Sequence, residues 1–272
     1  MSRKKTEKAI VTIILVTGAL IMVLPFAWML LTSFKPEAEA LLVPPTFIPK
    51  TFTIESYETL FTRMKFLTYL KNTLTIVVFS FLGLMFNAMA GYAFAKYKFP
   101  GKNILFYLVL ATMMIPSQVT MIPIYLILNT LKLTNTMAGI ILPGLVGAFA
   151  IFLFREFMES ISSELIEAAR IDGAGEFRIF FKLIMPVSKS ILAVQGILTF
   201  IGSWNSFLWP LIVANDEKYY TLSVGLQLLK GQNSADFALQ MAGAAVMVVP
   251  VMVVFTMFQK HIMEGITISG MK

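Results

Sequence analysis

The chain has no cysteine and one histidine, His261, among 272 residues. Disulfides and thiolate metal sites are thereby excluded, and a His-based metal cluster within one chain is ruled out. Charge is also scarce: 14% of residues are Asp, Glu, Lys or Arg, against about 25% in an average soluble domain. Six stretches, 9–34, 72–95, 103–131, 133–154, 190–215 and 237–259, hold no charged residue and no histidine. A GxxxxGK[ST] phosphate loop is missing too, because Lys96 stands where Gly101-Lys102 would need an earlier glycine. If ATP powers this chain, another chain binds it.

These absences narrow the function. A proton-driven carrier needs titratable groups within the membrane, and the six stretches supply none. Nor do they supply the convergent nucleophile, base or metal ligands that a membrane-embedded enzyme requires. Sodium coupling through carbonyls and hydroxyls stays open, so a self-sufficient secondary transporter of a neutral polar solute is an alternative.

What the chain does have is apolar length. It is 57% hydrophobic, with a mean hydropathy of +0.79. About 20 apolar residues in a helix cross a hydrocarbon core of roughly 30 Å, and each of the six stretches reaches that length. Helices are required because an open strand edge leaves its backbone unsatisfied in lipid. The expectation is an all-α membrane protein, a single transmembrane domain over 1–272 with six spans. The basic start imitates a signal peptide, but its apolar run is too long and lacks a small-residue cleavage site before Pro25. It reads as a retained first span. A short polar segment follows, punctuated by Pro44, Pro45 and Pro49.

Six spans put both termini on one side. The tails and even-numbered loops carry 14 of the 22 lysines and arginines, and the opposite loops carry eight, Lys35 and Lys132 among them. The bias predicts cytoplasmic termini. Much of the +7 charge is therefore a topology signal, and no nucleic-acid partner is implied.

Uncharged polar residues within the spans are Asn87, Gln118, Gln195, Asn205 and Ser206. They either join helices by hydrogen bonds, at about 0.6 kcal/mol each, or line a wet path for a neutral solute such as a sugar. Pro116 and Pro123 bracket Ser117-Gln118 and predict a kinked third span. Trp204 and Trp209 either belong to an interfacial belt or offer flat faces to sugar rings.

The longest charged segment is 164–186, ELIEAARIDGAGEFRIFFKLIMP, within a loop spanning about 160–186. Leu165 and Ala169, four apart, and Glu167 and Arg170, three apart, fit a short helix. Gly173, Ala174 and Gly175 break it, and a second segment leads to Pro186 and the next span. Small side chains at Ala168, Ala169, Gly173 and Ala174 permit close approach of another surface. The alternative is a plain solvated loop.

Glu167-Ala168-Ala169, then Gly173 and Pro186, resemble the EAA-xxx-G-x9-I-x-L-P motif of inner-membrane permeases in binding-protein-dependent ABC importers. Leu183 and Met185 stand for its Ile and Leu. The flank from Glu164 to Ala174 is similar to the carbohydrate branch, whose members often carry proline at the position of Ser162. Further likeness lies in Leu24–Met29, Thr32–Pro36, Asn72-Thr73, Gly91–Ala95, Pro116–Gln118, Trp204-Asn205, Trp209-Pro210 and Glu264–Thr267. Ser206 departs from an acidic residue frequent there.

The resemblance implies a type I ABC importer permease fold, similar to the smaller permease subunit of maltose-type and multiple-sugar importers, in a bacterial or archaeal plasma membrane. It implies a second permease subunit, two ATPase subunits that hold ATP and Mg2+, and an extracytoplasmic solute-binding protein, with no cofactor in this chain. Glu164, Glu167, Ala168, Ala169, Asp172, Gly173, Ala174 and Pro186 would form the ATPase-coupling element. Glu167 would face a basic ATPase residue, and Gly173 would make the bend. Asn87, Gln118, Trp204 and Asn205 are the expected pathway residues, and the tail after Gln259 and the 215–236 loop are expected to touch ATPase and binding protein.

Overall fold

A computed structural model describes the backbone of residues 2–232 and 236–269, and the side chains of 7–231 and 236–260. His261, the Glu264–Thr267 tail and residues 233–235 of the 215–236 loop therefore lie outside the side chains described. The secondary structure is helical throughout, with no strand among the described residues. Among the described residues, five helices are long and apolar enough to cross a membrane, or six with a bent pair taken as one. The chain divides into two compact units, Met1–Phe66 with Gly225–Val249, and Leu67–Val224 with Pro250–Lys272.

In the first unit, the span Glu7–Thr32 buries none of its most apolar window against the rest of the chain. That surface is left for lipid or protein. The segment after it, expected to be merely polar, is tied into a knot. The Glu39 carboxylate accepts from the Lys50 N–H at 2.8 Å, the Thr51 N–H at 3.3 Å and the Thr46 hydroxyl at 2.9 Å. Those donors, the Lys50 amide first, hold its pKa below the ordinary value. Lys35, 1% exposed, donates to the Thr46 carbonyl and lies 4.7 Å from the centre of the Trp28 ring. Sequence reasoning missed this because the partners lie up to 12 residues apart with no local period. At the other end of the unit, Asp236 caps the last helix by accepting the Leu239 N–H at 2.8 Å. That helix turns Ala238, Ala242 and Ala245 inward, and a Cβ on Gly243 would come within 3.0 Å of Leu226.

The second unit is organised by the helix Phe66–Lys96. Tyr69, Thr73, Ile76, Leu84, Asn87, Ala88, Gly91 and Tyr92 are all buried on it, a stripe at three- and four-residue spacing. Glycine lets the helix Ala148–Glu159 approach: a Cβ on Gly91 would lie 2.5 Å from Phe154 Cβ, and one on Gly83 would lie 2.4 Å from the Leu145 carbonyl oxygen. Tyr69 donates to Glu217, and Asn72 donates to the Lys218 and Tyr220 carbonyls at 2.8 and 2.9 Å. These bonds fix the loop that follows the fifth span.

Three expected spans are interrupted. The third is not a kinked helix but two helices, Lys102–Met113 and Ser117–Thr130, bent by 104°. Pro116 has extended ψ at the boundary, where it has no N–H to continue the ladder. The fourth comprises Met137–Ile141, a 3-10 turn Leu142–Gly144, and Ala148–Glu159. It begins and ends later than the uncharged stretch 133–154, and its last turn carries Arg155, Glu156 and Glu159. The fifth runs Lys189–Trp204 and resumes at Leu208–Val213.

Candidate functional site

The charged loop builds a helix, Ser163–Ile171, from clear local signals. Ser162 caps its start, its hydroxyl accepting the Glu164 N–H at 3.2 Å. At the other end the Gly173 N–H bonds the Arg170 carbonyl and the Ala174 N–H bonds the Ala169 carbonyl, both at 3.0 Å. This is a Schellman closure, and it places Gly173 in the left-handed region at φ +78°.

One face of this helix is held firmly. Ile166 is buried in a cluster with Leu84, Tyr92, Phe154, Ile179 and Ile184, and Ala169 and Ala174 pack on its edge. Arg170 makes a two-pronged pair with Glu176, Nε to Oε1 at 2.7 Å and Nη2 to Oε2 at 3.2 Å. The Tyr97 hydroxyl, just past the second span, donates to the same carboxylate. The Arg170 pair first, and then Tyr97, lower the Glu176 pKa, while burial and Glu176 raise that of Tyr97. Pro186 lies in the last short turn, Met185–Val187, before the fifth span.

The other face is open. Glu164, Glu167, Ala168, Asp172 and Gly173 are exposed. Among them stand three large apolar side chains, Leu165 at 42%, Phe177 at 69% and Ile171 at 86% exposure. Of the small residues expected to permit close approach, Ala168 and Gly173 point outward, whereas Ala169 and Ala174 face the core. From sequence, Leu165 was read only as part of the helix pattern, and Ile171 and Phe177 were not singled out. Spacing alone did not mark them, since Leu165 lies four residues from the core-facing Ala169 and is nevertheless exposed.

Within the spans, a cleft of about 490 Å³ opens in the second unit, in the size range of small-molecule sites. Ser80 and Asn87 of the second span line it, with Ser117 and Thr120 of the bent pair. Thr199, Ser203, Ser206 and Trp209 complete its polar side. Thr120 donates to the Ser117 carbonyl at 2.9 Å and Ser203 to that of Thr199 at 2.7 Å. Their protons are thus engaged, and the lone pairs remain to accept from a solute's hydroxyls.

Asn87 does both things open to it. Its Oδ1 accepts the Gly147 N–H at 3.1 Å, stitching the break in the fourth span, and it also borders the cleft. The other expected pathway residues fall elsewhere. Gln118 is exposed and is not among the residues lining the cleft. Trp204 is buried and stacks on Phe200 at 5.7 Å. Asn205 is exposed at the end of its helix. Trp209 lines the cleft and donates to the Ile140 carbonyl at 3.2 Å. Ser80, Thr120, Thr199 and Ser203 were missed, although Ser80/Asn87 and Thr199/Ser203 recur at helical spacing.

The described residues form an all-helical membrane protein with an open cleft between spans and a charged helix packed against them. Residues 83–267 match the model of the binding-protein-dependent transport system inner membrane component, and the chain belongs to that family. It is 37% identical over 258 residues to the arabinooligosaccharides transport system permease protein AraQ of Halalkalibacterium halodurans, covering 93% of this chain and 92% of that one. It is 31% identical to the diacetylchitobiose uptake system permease protein NgcG of Streptomyces coelicolor, covering 93% and 85%. A chain in the crystal structure of a bacterial ABC transporter importing the acidic polysaccharide alginate superposes with a TM-score of 0.82 at 25% identity, over 96% of this chain and 98% of that one. The fold is that of a type I importer permease, and the chain is a multi-pass membrane subunit that works with other ABC components. This membership favours neither a self-sufficient carrier nor an enzyme. No metal-binding cluster of His, Asp or Glu occurs among the described residues.

Proposed function

We propose that this chain forms half of the translocation pathway of an ATP-driven importer for a sugar or oligosaccharide, and that the 160–186 loop couples it to the motor. The observation that carries the reading is the helix Ser163–Ile171, locked on one face by Ile166 and Arg170–Glu176. On the other it is greasy and open at Leu165, Ile171 and Phe177. Exposed apolar surface of this kind marks a protein interface. The partner is an ATPase subunit, one of two that hold ATP and Mg2+. Glu164, Glu167, Ala168, Asp172 and Gly173 meet it directly, and Ala169, Ala174 and Pro186 shape the element from behind. A second permease completes the pathway, and a solute-binding protein delivers cargo from outside. Both termini and the coupling loop lie in the cytoplasm, on the side favoured by the lysine and arginine bias.

The sugar assignment is supported by the hydroxyl-lined cleft and by the oligosaccharide substrates in the relatives' names. ATP-driven movement of the loop shifts the cleft between inward- and outward-facing states, as a two-state element biased from both sides must. The assembled complex, reconstituted with its binding protein, should take up a labelled oligosaccharide only with ATP. Uptake by this chain alone in liposomes without ATP would overturn the proposal.

A further inference from the structure

A second groove in the same unit has a different character. It holds about 270 Å³ and is lined by Phe81 of the second span, by Leu192, Ala193, Gly196 and Ile197 of the fifth, and by Val254 and Phe258 of the last helix. Among the described residues its one charged lining residue is Lys189, exposed at the start of the fifth span. Among the described residues no carboxylate pairs with this ammonium. The fifth span begins at Lys189, and the uncharged stretch of the last helix ends at Gln259, one residue past Phe258, with Lys260 next. The lysine end of the groove therefore sits at a membrane boundary. From Lys189 to Ile197 a helix rises about 12 Å, most of the roughly 15 Å depth of one hydrocarbon leaflet.

We propose that this groove binds one acyl chain of an anionic phospholipid, with the headgroup phosphate on Lys189. The polar cleft described above is chemically unlike it: hydroxyls line that one, whereas here every surface below the lysine is hydrocarbon. A protein helix laid in the groove would bury the ammonium unless it brought a carboxylate to that depth. A phospholipid carries its phosphate at the boundary and its apolar tail below, which matches both ends of the groove. Basic pockets between spans at the cytoplasmic surface hold anionic headgroups for this reason. Only the choice of leaflet rests on the orientation proposed above; the site itself does not.

The test uses the assembled transporter in nanodiscs of phosphatidylglycerol or of phosphatidylcholine, with bound lipid counted by native mass spectrometry after detergent extraction. Wild type should retain phosphatidylglycerol over phosphatidylcholine. Lys189→Ala should lower that preference about fivefold, the worth of one lysine near an anionic headgroup. Gly196→Leu, which fills the groove beside Phe81, should lower retention of both lipids. Equal retention of the two lipids by wild type and Lys189→Ala would overturn the proposal. So would a photo-crosslinker at Val254 that labels the second permease instead of lipid. Because retention is read without ATP or sugar, its failure is distinct from a failure of coupling.

Discussion

At the scale of single residues, backbone demands and charge partners account for the helix Ser163–Ile171. Gly173 sits at φ +78°, and an added Cβ would meet nothing within 4 Å. Substitution there is limited by the left-handed backbone, at about 1–2 kcal/mol for an L side chain, and by whatever docks on it. Gly173→Asn, which tolerates that conformation, should keep the ATPase bound, whereas Gly173→Leu should lose it while still inserting in the membrane. Co-purification of the ATPase with each variant checks this, and unchanged assembly and transport in Gly173→Leu would count decisively against the coupling role. Glu176 gives a pH prediction. Its folded pKa lies below the unfolded value, so its contribution is complete above the ordinary carboxylate range. That contribution is lost as pH falls through the folded value. With both partners nearly half exposed, it amounts to no more than about 1 kcal/mol. Glu176→Gln should melt earlier than wild type at pH 7, and the gap should close in acid.

At the scale of elements, interruption is what distinguishes this chain from a simple set of spans. The stripe on Phe66–Lys96 follows helical spacing, but its closest contacts depend on glycine. Gly91→Ala would force its Cβ against Phe154 and the Arg155 amide. Overpacking at such a contact costs about 1–3 kcal/mol, so the variant should show a lower melting temperature in detergent. Asn87 tests the two roles it holds. Asn87→Ala should destabilise by about 1 kcal/mol through the lost bond to Gly147, and should raise the transport KM through the cleft. A stability loss with unchanged KM would confine Asn87 to stitching. The breaks in spans four and five were invisible to a criterion of uncharged length, because Leu142–Val146 is as apolar as its flanks and Asn205-Ser206, though polar, carry no charge. Gln118, Trp204 and Asn205 were selected by residue type, yet a helix rotates each onto a face that type does not specify. Ser80, Thr199 and Ser203 were passed over for the converse reason.

At the scale of the whole molecule, topology is the property that function depends on most. The absence of cysteine makes it directly measurable, since any introduced thiol is the only one. Lys98→Cys should react with an impermeant maleimide only from the cytoplasmic side, and Lys132→Cys only from outside. Labelling of both from one side would reject six-span topology and the placing of the coupling loop beside an ATPase.

The sequence by itself determined the membrane class, the helical fold and the family, because apolar length, missing charge and the Glu167–Gly173–Pro186 spacing are local and one-dimensional. It also set the charged loop apart, as the longest charged segment of the chain. Only the tertiary structure decided which residues that loop presents, since Ile166 and Arg170 must first find partners on other elements before Leu165, Ile171 and Phe177 are left facing out. The cleft and the Lys189 groove are likewise products of packing: each gathers side chains from helices far apart in the chain, and no local pattern records how those helices turn toward one another.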